Sequence, residues 1–487
     1  MHTVRRTQAL RRGRHVRTLT ASATAAAALV LTGLTAAAQA LPTTSARATS
    51  TKSVPAGVAT AVNLTACPSG TPTVTSVPAQ PNSAHVAVSG TKSKLIGVWP
   101  TSPTSYAITI KCSGGATENV TLTIQAALPE NSAIGLGAQT QQSLLDQFSA
   151  DYNATLTSST QSHLYNWDAI NPVNGSQNDT ITVKSTCVSF PRPNGSSAGI
   201  KQLATFAQTS DKKSFCDNFA NSSRPRGGSD PGDVPGGVTF VNLAGDAVSW
   251  ATPATTDAPA SLTPTQLNEI YTCTVPATGG NPANNWADLG GKNAPIQPFL
   301  PQSNSGTLTF FLAAIGVTTV GPCVSTDNNT LEENEGVNPV LQTPEAIWIY
   351  SVGDYIAQRF HSPACTNSGC TGTPPCAPAG GKDDFGCNVH GTYVPKDING
   401  IAPTTGTGAA TKINTSFPST FLRTLFAVVP YDPNTSDHIP GSESGAPGGV
   451  NLEAIFGASG WACTNSTAKT DIKNYGFVTL GTCGATS

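Results

Sequence analysis

The chain has 487 residues, and only 11% of them are charged, against about 25% in an average globular chain. With a formal net charge of −2, that balance argues against a nucleic-acid footprint or a polybasic membrane patch, while the length allows two or three domains with a large core. The 46 Gly and 37 Pro, with a polar surface left to Ser, Thr, Asn and Gln, suit a loop-rich secreted protein.

Residues 1–40 read as a bacterial export signal. Arg5, Arg6, Arg11, Arg12, Arg14 and Arg17 precede an apolar run through Ala26, Leu29, Val30, Leu31 and Leu34, and the small residues of "AQA" at Ala38–Ala40 suit a signal peptidase. An uncleaved anchor is the alternative. After cleavage no span is expected, and no cysteine sits at the cut to carry a lipid. Twelve cysteines in an exported chain imply up to six disulfides. Proximity pairs Cys67 with Cys112, Cys187 with Cys216, Cys273 with Cys323 and Cys463 with Cys483. Cys365, Cys370, Cys376 and Cys387 are left to pair among themselves. Zinc, with His361 and His390, is the weaker option there, because the spacings lack a two-residue knuckle.

Residues 41–56 are Ser, Thr, Ala and Pro with little to bury, and read as a linker. Residues 57–130 hold short alternating runs, "HVAVSG", "SYAITIKC" and "NVTLTIQAAL", broken by turn residues, and read as a small β-domain. From 131 to 487 strand, Gly/Ser loop and helix recur. "SAIGLGAQTQQSLLDQFSADYNA" runs from an apolar strand into a helix with Leu144, Leu145 and Phe148 on one face. The strand "TITVKSTCVSF" leads through "RPNGSSAG" into a helix at Ile200, and "APIQPFL" leads through "PQSNSGT" into "LTFFLAAIG". Such alternation predicts an α/β protein with a parallel sheet. The cysteine-rich stretch at about 362–395 reads as a surface insertion.

Three of these loops end at helix starts, where unpaired N–H groups and the helix dipole favour an anion. Their small residues are Gly135, Gly137 and Ala138, then Asn194, Gly195, Ser196, Ser197 and Gly199, then Ser303, Asn304, Ser305, Gly306 and Thr307. One such loop is explained by ordinary capping. Three, none with the lysine of a phosphate-transfer P-loop, point to binding without chemistry.

In segment order the sequence resembles the type II periplasmic solute-binding fold, and within it the phosphate-binding proteins of bacterial phosphate ABC transporters. "GLGAQ" matches their "GAGAT"-like loop, "GSSAGIKQL" their "GSSGG" loop, and "SNSGT" their "GSGT" loop. "LTPTQLNEIYTC", "NNWADLGG" and "ENEGVNPVLQTPEAIWIYSVGDYIAQ" resemble supporting segments, so that the likeness spans about Ser132 to Arg359. It implies an α/β, two-lobed clamp, with lobe I at about 131–245 and 350–487 and lobe II at about 246–349, closing on one small oxyanion. The implied ligand is phosphate, the implied partner an ABC permease, and no cofactor or metal is needed. Carried over by position, the ligand-binding residues are Gln139 and Thr140, Ser196 and Ser197, Ser222, Ser223 and Arg224, and Ser305, Gly306 and Thr307.

Two departures stand out. Ser222 and Ser223 occupy the place of the family's third-loop aspartate, which accepts a hydrogen bond from a protonated phosphate oxygen and repels fully ionised anions such as sulfate. Pro301 stands at the place of a fourth-loop arginine. Arg224 and Arg192 are the cations expected to restore positive charge. The acidic run Glu332, Glu333 and Glu335 reads as a solvated loop. Two other classes remain: a secreted hydrolase, against which none of the seven histidines sits in a catalytic motif and "SNSGT" is not a GxSxG elbow, and a cell-wall or adhesion protein keeping the fold without its ligand. The expected location is secreted, periplasmic or cell-wall associated.

Overall fold

The computed structural model describes residues 47–56, 58–63, 73–76, 85–89, 92–99, 104–111, 117–125, 128–158, 160–171, 176–361, 391–442 and 446–487. The export signal, the Cys67–Cys112 pair and the cysteines between 365 and 387 with His390 lie outside them. Among the described residues no helix is long and apolar enough to cross a membrane.

Two small sheets come first. One has the strand order Arg47–Pro55, Thr117–Gln125, Ser105–Lys111, Thr73–Ser76, and the other joins Ala59–Asn63, Lys92–Val98 and His85–Ser89. Val120, Leu122 and Ile124 alternate inward, as the period of two requires, against Tyr106, Ile108 and Trp99. The linker reading of 41–56 is corrected from Arg47 onward. That stretch pairs in parallel with Thr117–Gln125 over nine residues, because Ser and Thr tolerate an extended edge and Val54 and Ala56 reach the core.

The remaining chain builds a nine-stranded sheet in the order Gln297–Pro298, Ala346–Ser351, Val238–Thr252, Leu422–Pro430, Phe219–Ser222, Ala133–Gly137, Leu164–Asn166, with Val394–Pro395 and Val478–Thr479 also on Val238–Thr252. Its outer pairs are parallel. Its middle is antiparallel, which the expectation of a parallel sheet did not include. The reason is a single long strand, Val238–Thr252, that lies antiparallel to both Leu422–Pro430 and Ala346–Ser351. Val241 and Leu243 pack with Leu144, Leu145, Phe148 and Phe219 in one core. Val248 and Trp250 pack with Tyr271, Trp286, Phe311 and Trp348 in another. The fold is therefore two-lobed, with the strands Val238–Thr252 and Leu422–Pro430 each packing against both cores.

The helix Gln142–Asn153 buries Leu144, Leu145 and Phe148 as expected. The run "TITVKSTCVSF" departs from expectation. Only Thr180–Ile181 and Phe190–Pro191 are strands, paired to each other, and a turn closed by the Cys187–Cys216 disulfide lies between them. The Cys273–Cys323 and Cys463–Cys483 disulfides are also formed.

Lys184 anchors that turn from inside. Its buried Nζ donates to Ser214 Oγ at 2.8 Å, to the Phe215 carbonyl at 2.7 Å and to Asn218 Oδ1 at 3.2 Å. Burial pushes its ammonium down to about 8, and pushes the nearby Asp217 carboxyl up to about 7. A carboxyl raised in the folded state costs stability as pH climbs from its unfolded value towards 7, because the native state then holds a proton that the unfolded state releases. Asp217→Asn is expected to be more stable than wild type at pH 8, by an amount on the order of a few kcal/mol, and so to melt at a higher temperature. The advantage should vanish near pH 4. Thermal unfolding at both pH values checks this, and a gap that does not depend on pH refutes it.

Candidate functional site

Glycine allows the first two loops to meet. Gly137 and Gly195 both have positive φ, 127° and 95°, a region that side chains rarely adopt. The Gly195 amide donates to the Gly137 carbonyl at 2.9 Å. A Cβ on Gly199 would lie 2.7 Å from Gly137 Cα. The helix Ser196–Leu203 therefore begins directly against the loop that precedes Gln142–Asn153.

The "SNSGT" loop closes on the same spot. The Ser197 amide donates to the Asn304 carbonyl at 3.2 Å. Ser305 caps the helix Gly306–Ala314 by accepting from the Leu308 amide at 2.9 Å. A Cβ on Gly306 would lie 2.2 Å from Ser196 Oγ and 2.4 Å from Ser223 Oγ, so only glycine fits. Across the junction Thr140 and Thr307 hydroxyls stand 3.2 Å apart, and Ser196 and Ser223 hydroxyls 3.3 Å apart. Thr140, Ser196, Ser223, Gly306 and Thr307 thus form one buried cluster at the starts of three helices.

The other expected residues have other engagements. Ser222 Oγ donates to the Arg224 carbonyl at 2.8 Å, and Ser197 Oγ accepts from Arg224 Nη2 at 3.1 Å. Gln139 lies on the loop before Gln142–Asn153 with its Oε1 buried and without a partner among the described residues. Arg224 forks onto Asp230, at 2.6 and 3.0 Å. Arg192 is buried. It forks onto Asp179 at 2.6 and 3.0 Å, donates to the Asp168 carbonyl at 2.9 Å, and lies over Trp167. Burial alone would raise the Asp179 and Asp230 carboxyls, but the paired guanidinium outweighs it and holds each below its ordinary value. Both cations already have an internal counter-ion, so neither supplies the free positive charge expected of it.

A different arginine reaches the cluster. Arg423 donates from Nη1 to Thr307 Oγ1 at 3.0 Å and to the Ser223 carbonyl at 2.9 Å. Its Nε and Nη2 donate to Asp246 Oδ2 at 2.9 and 2.7 Å, with both side chains fully buried. Asp246 also accepts from Ser351 Oγ at 2.9 Å and from the Gly353 amide at 3.0 Å. The sequence did carry a signal: a lone arginine inside the apolar strand "LRTLFAVVP" needs a buried partner.

The acidic loop reverses its reading. Glu332, Glu333 and Glu335 are 1%, 2% and 4% exposed, not solvated. Thr140 and Thr307 hydroxyls both donate to Glu333 Oε2, at 2.6 and 2.8 Å. Asn194 Nδ2 donates to Glu332 Oε1 at 2.7 Å and itself accepts from Gln302 at 3.1 Å. Glu333 Oε1 is buried with no hydrogen-bond partner among the described residues, a state that costs about 1–3 kcal/mol or more for a charged group. Nearby, burial first, and then the charges of Asp246 and Glu333, push the Asp354 carboxyl well above the usual carboxylate range, against the pull of Arg423. No sequence periodicity separates such a run from a solvated one. Only its place in the "ENEGV" segment marks it.

Residues 136–374 match the family model described as the PBP superfamily domain. No curated protein matches the sequence. Among solved structures the chain is similar to a Clostridium perfringens protein described as a phosphate ABC transporter substrate-binding protein with bound phosphate, at 14% identity over 72% of this chain and 100% of that one, TM-score 0.40. It is also similar to an ABC-type phosphate transport receptor from Vibrio cholerae, at 14% identity over 72% and 100%, TM-score 0.38. A human phosphate-binding apolipoprotein gives 14% identity over 72% and 91%, TM-score 0.33.

Proposed function

We propose that the protein is a secreted solute-binding protein that reversibly holds phosphate or a similar tetrahedral oxyanion between its lobes, without a covalent step, for delivery to an ABC-type permease. The observation that carries this reading is the meeting of Thr140, Ser196, Ser223, Gly306 and Thr307 at three helix starts. Hydroxyls and helix-start amides are the donors an oxyanion needs, and Arg423 polarises Thr307 from behind. Hydrogen bonds to a charged group contribute about 1.5–3 kcal/mol each. Micromolar affinity needs about 8 kcal/mol, so five or six donors suffice before the cost of closure.

A second reading has its own support. Arg192, Arg224 and Arg423 are each paired with an internal aspartate, which suits a cell-wall or adhesion protein that keeps the clamp without a small ligand. Titration calorimetry of residues 41–487 with phosphate, arsenate and sulfate, carried to millimolar anion, separates the two. Saturable heat with phosphate is expected. No heat from any of the three sinks the binding reading and leaves the scaffold.

A further inference from the structure

We propose that Glu333 is a built-in occupant of the anion site, whose carboxylate takes the donors that a free oxyanion would use, so that a ligand enters by displacing it. The inference rests on the oxyanion reading above and adds how the site is regulated.

A threonine hydroxyl has one hydrogen to give. Thr140 and Thr307 each donate theirs to the same oxygen, Glu333 Oε2, at 2.6 and 2.8 Å. The two belong to different loops, so the carboxylate ties the first loop to the start of Gly306–Ala314. Arg423 reaches it through Thr307 Oγ1, which accepts from Nη1 at 3.0 Å. These are the interactions of a bound anion, made by the chain itself. Glu332 holds the second loop through Asn194 at 2.7 Å, and Asn334 Oδ1 accepts from the Ser351 amide at 2.9 Å, which fixes both sides of Glu333. A carboxylate tethered in this way competes at a high effective concentration.

The fit is incomplete in a manner that favours exchange. Glu333 Oε1 is buried without a partner, and the Ser196 and Ser223 hydroxyls, 3.3 Å apart at the same junction, face each other and not the carboxylate. A tetrahedral anion has four oxygens and can engage both hydroxyl pairs. An internal carboxylate has two and leaves one unused.

The test compares wild type with Glu333→Ala and Glu333→Gln by calorimetry, using inorganic phosphate and sulfate, with circular dichroism and melting to establish that each variant folds. Apparent affinity falls in proportion to the fraction of molecules whose site is free, so an occupant present in about 90% of ligand-free molecules weakens binding about tenfold. Glu333→Ala should bind both anions at least about tenfold more tightly than wild type. Glu333→Gln, which keeps the shape and an acceptor but not the charge, should fall between them and serves if the alanine variant fails to fold. Equal or weaker binding by the variants, with wild type binding phosphate, overturns displacement and leaves the oxyanion reading standing. Weaker phosphate with stronger sulfate likewise overturns it, and makes Glu333 an acceptor that selects protonated anions. No binding by any of the three proteins overturns both.

Discussion

Asp246→Ala is expected to destabilise the protein by about 3–5 kcal/mol, the usual consequence of leaving one partner of a buried ion pair alone. Arg423 would keep its hydrogen bonds to the Ser223 carbonyl and Thr307 Oγ1 but lose both donations to Asp246, with its side chain still fully buried. The Ser351 hydroxyl and the Gly353 amide would lose their acceptor as well. Arg423→Met should cost a similar amount for the mirror-image reason. The double variant should cost less than the sum, since neither charge is then stranded. Denaturant unfolding of the four proteins reads this directly. Strict additivity would show that the ion pair is not the source of the loss.

The second large effect is on binding. Thr140→Val with Thr307→Val removes two hydroxyl donors and, at about 1.5–3 kcal/mol for each hydrogen bond to a charged group, should weaken phosphate by roughly a hundred- to ten-thousand-fold. The full loss is expected in the Glu333→Ala background. In the wild-type background the same change also strips the internal carboxylate of its two donors, so competitor and ligand weaken together and the net loss is smaller. Calorimetry in both backgrounds checks the contrast. An equal loss in the two would mean that Glu333 and phosphate do not share those hydroxyls.

Much of this was legible in the sequence because it depends on local chemistry. Leu144, Leu145 and Phe148 declare a helix face, and Gly137, Gly195 and Gly306 with their Ser and Thr neighbours declare helix starts able to approach one another. Three disulfides followed from proximity alone. What escaped depends on long-range pairing. Arg192 and Arg224 are cations in any sequence, and only the fold reveals that Asp179 and Asp230 already neutralise them. Asp246 and Arg423 are 177 residues apart and carry no local signature of partnership. Glu333 looks solvated because acids in a polar stretch normally are, and its burial is decided by two threonines 193 and 26 residues away. Arg47–Pro55 was hidden for a related reason, since an edge made of Ser and Thr gains its order from a neighbour's backbone.

The long strand Val238–Thr252 has a mechanical consequence. Val241, Leu243 and Ala244 from its first half lie in one core, and Val248, Trp250 and Ala251 from its second half in the other, so the two lobes share a spine instead of hanging from a slack tether. Any widening of the gap must flex that spine, and its register slips at Asn242/Ala244 opposite Leu422–Pro430, where a bulge already interrupts the ladder and lets a strand bend with least loss.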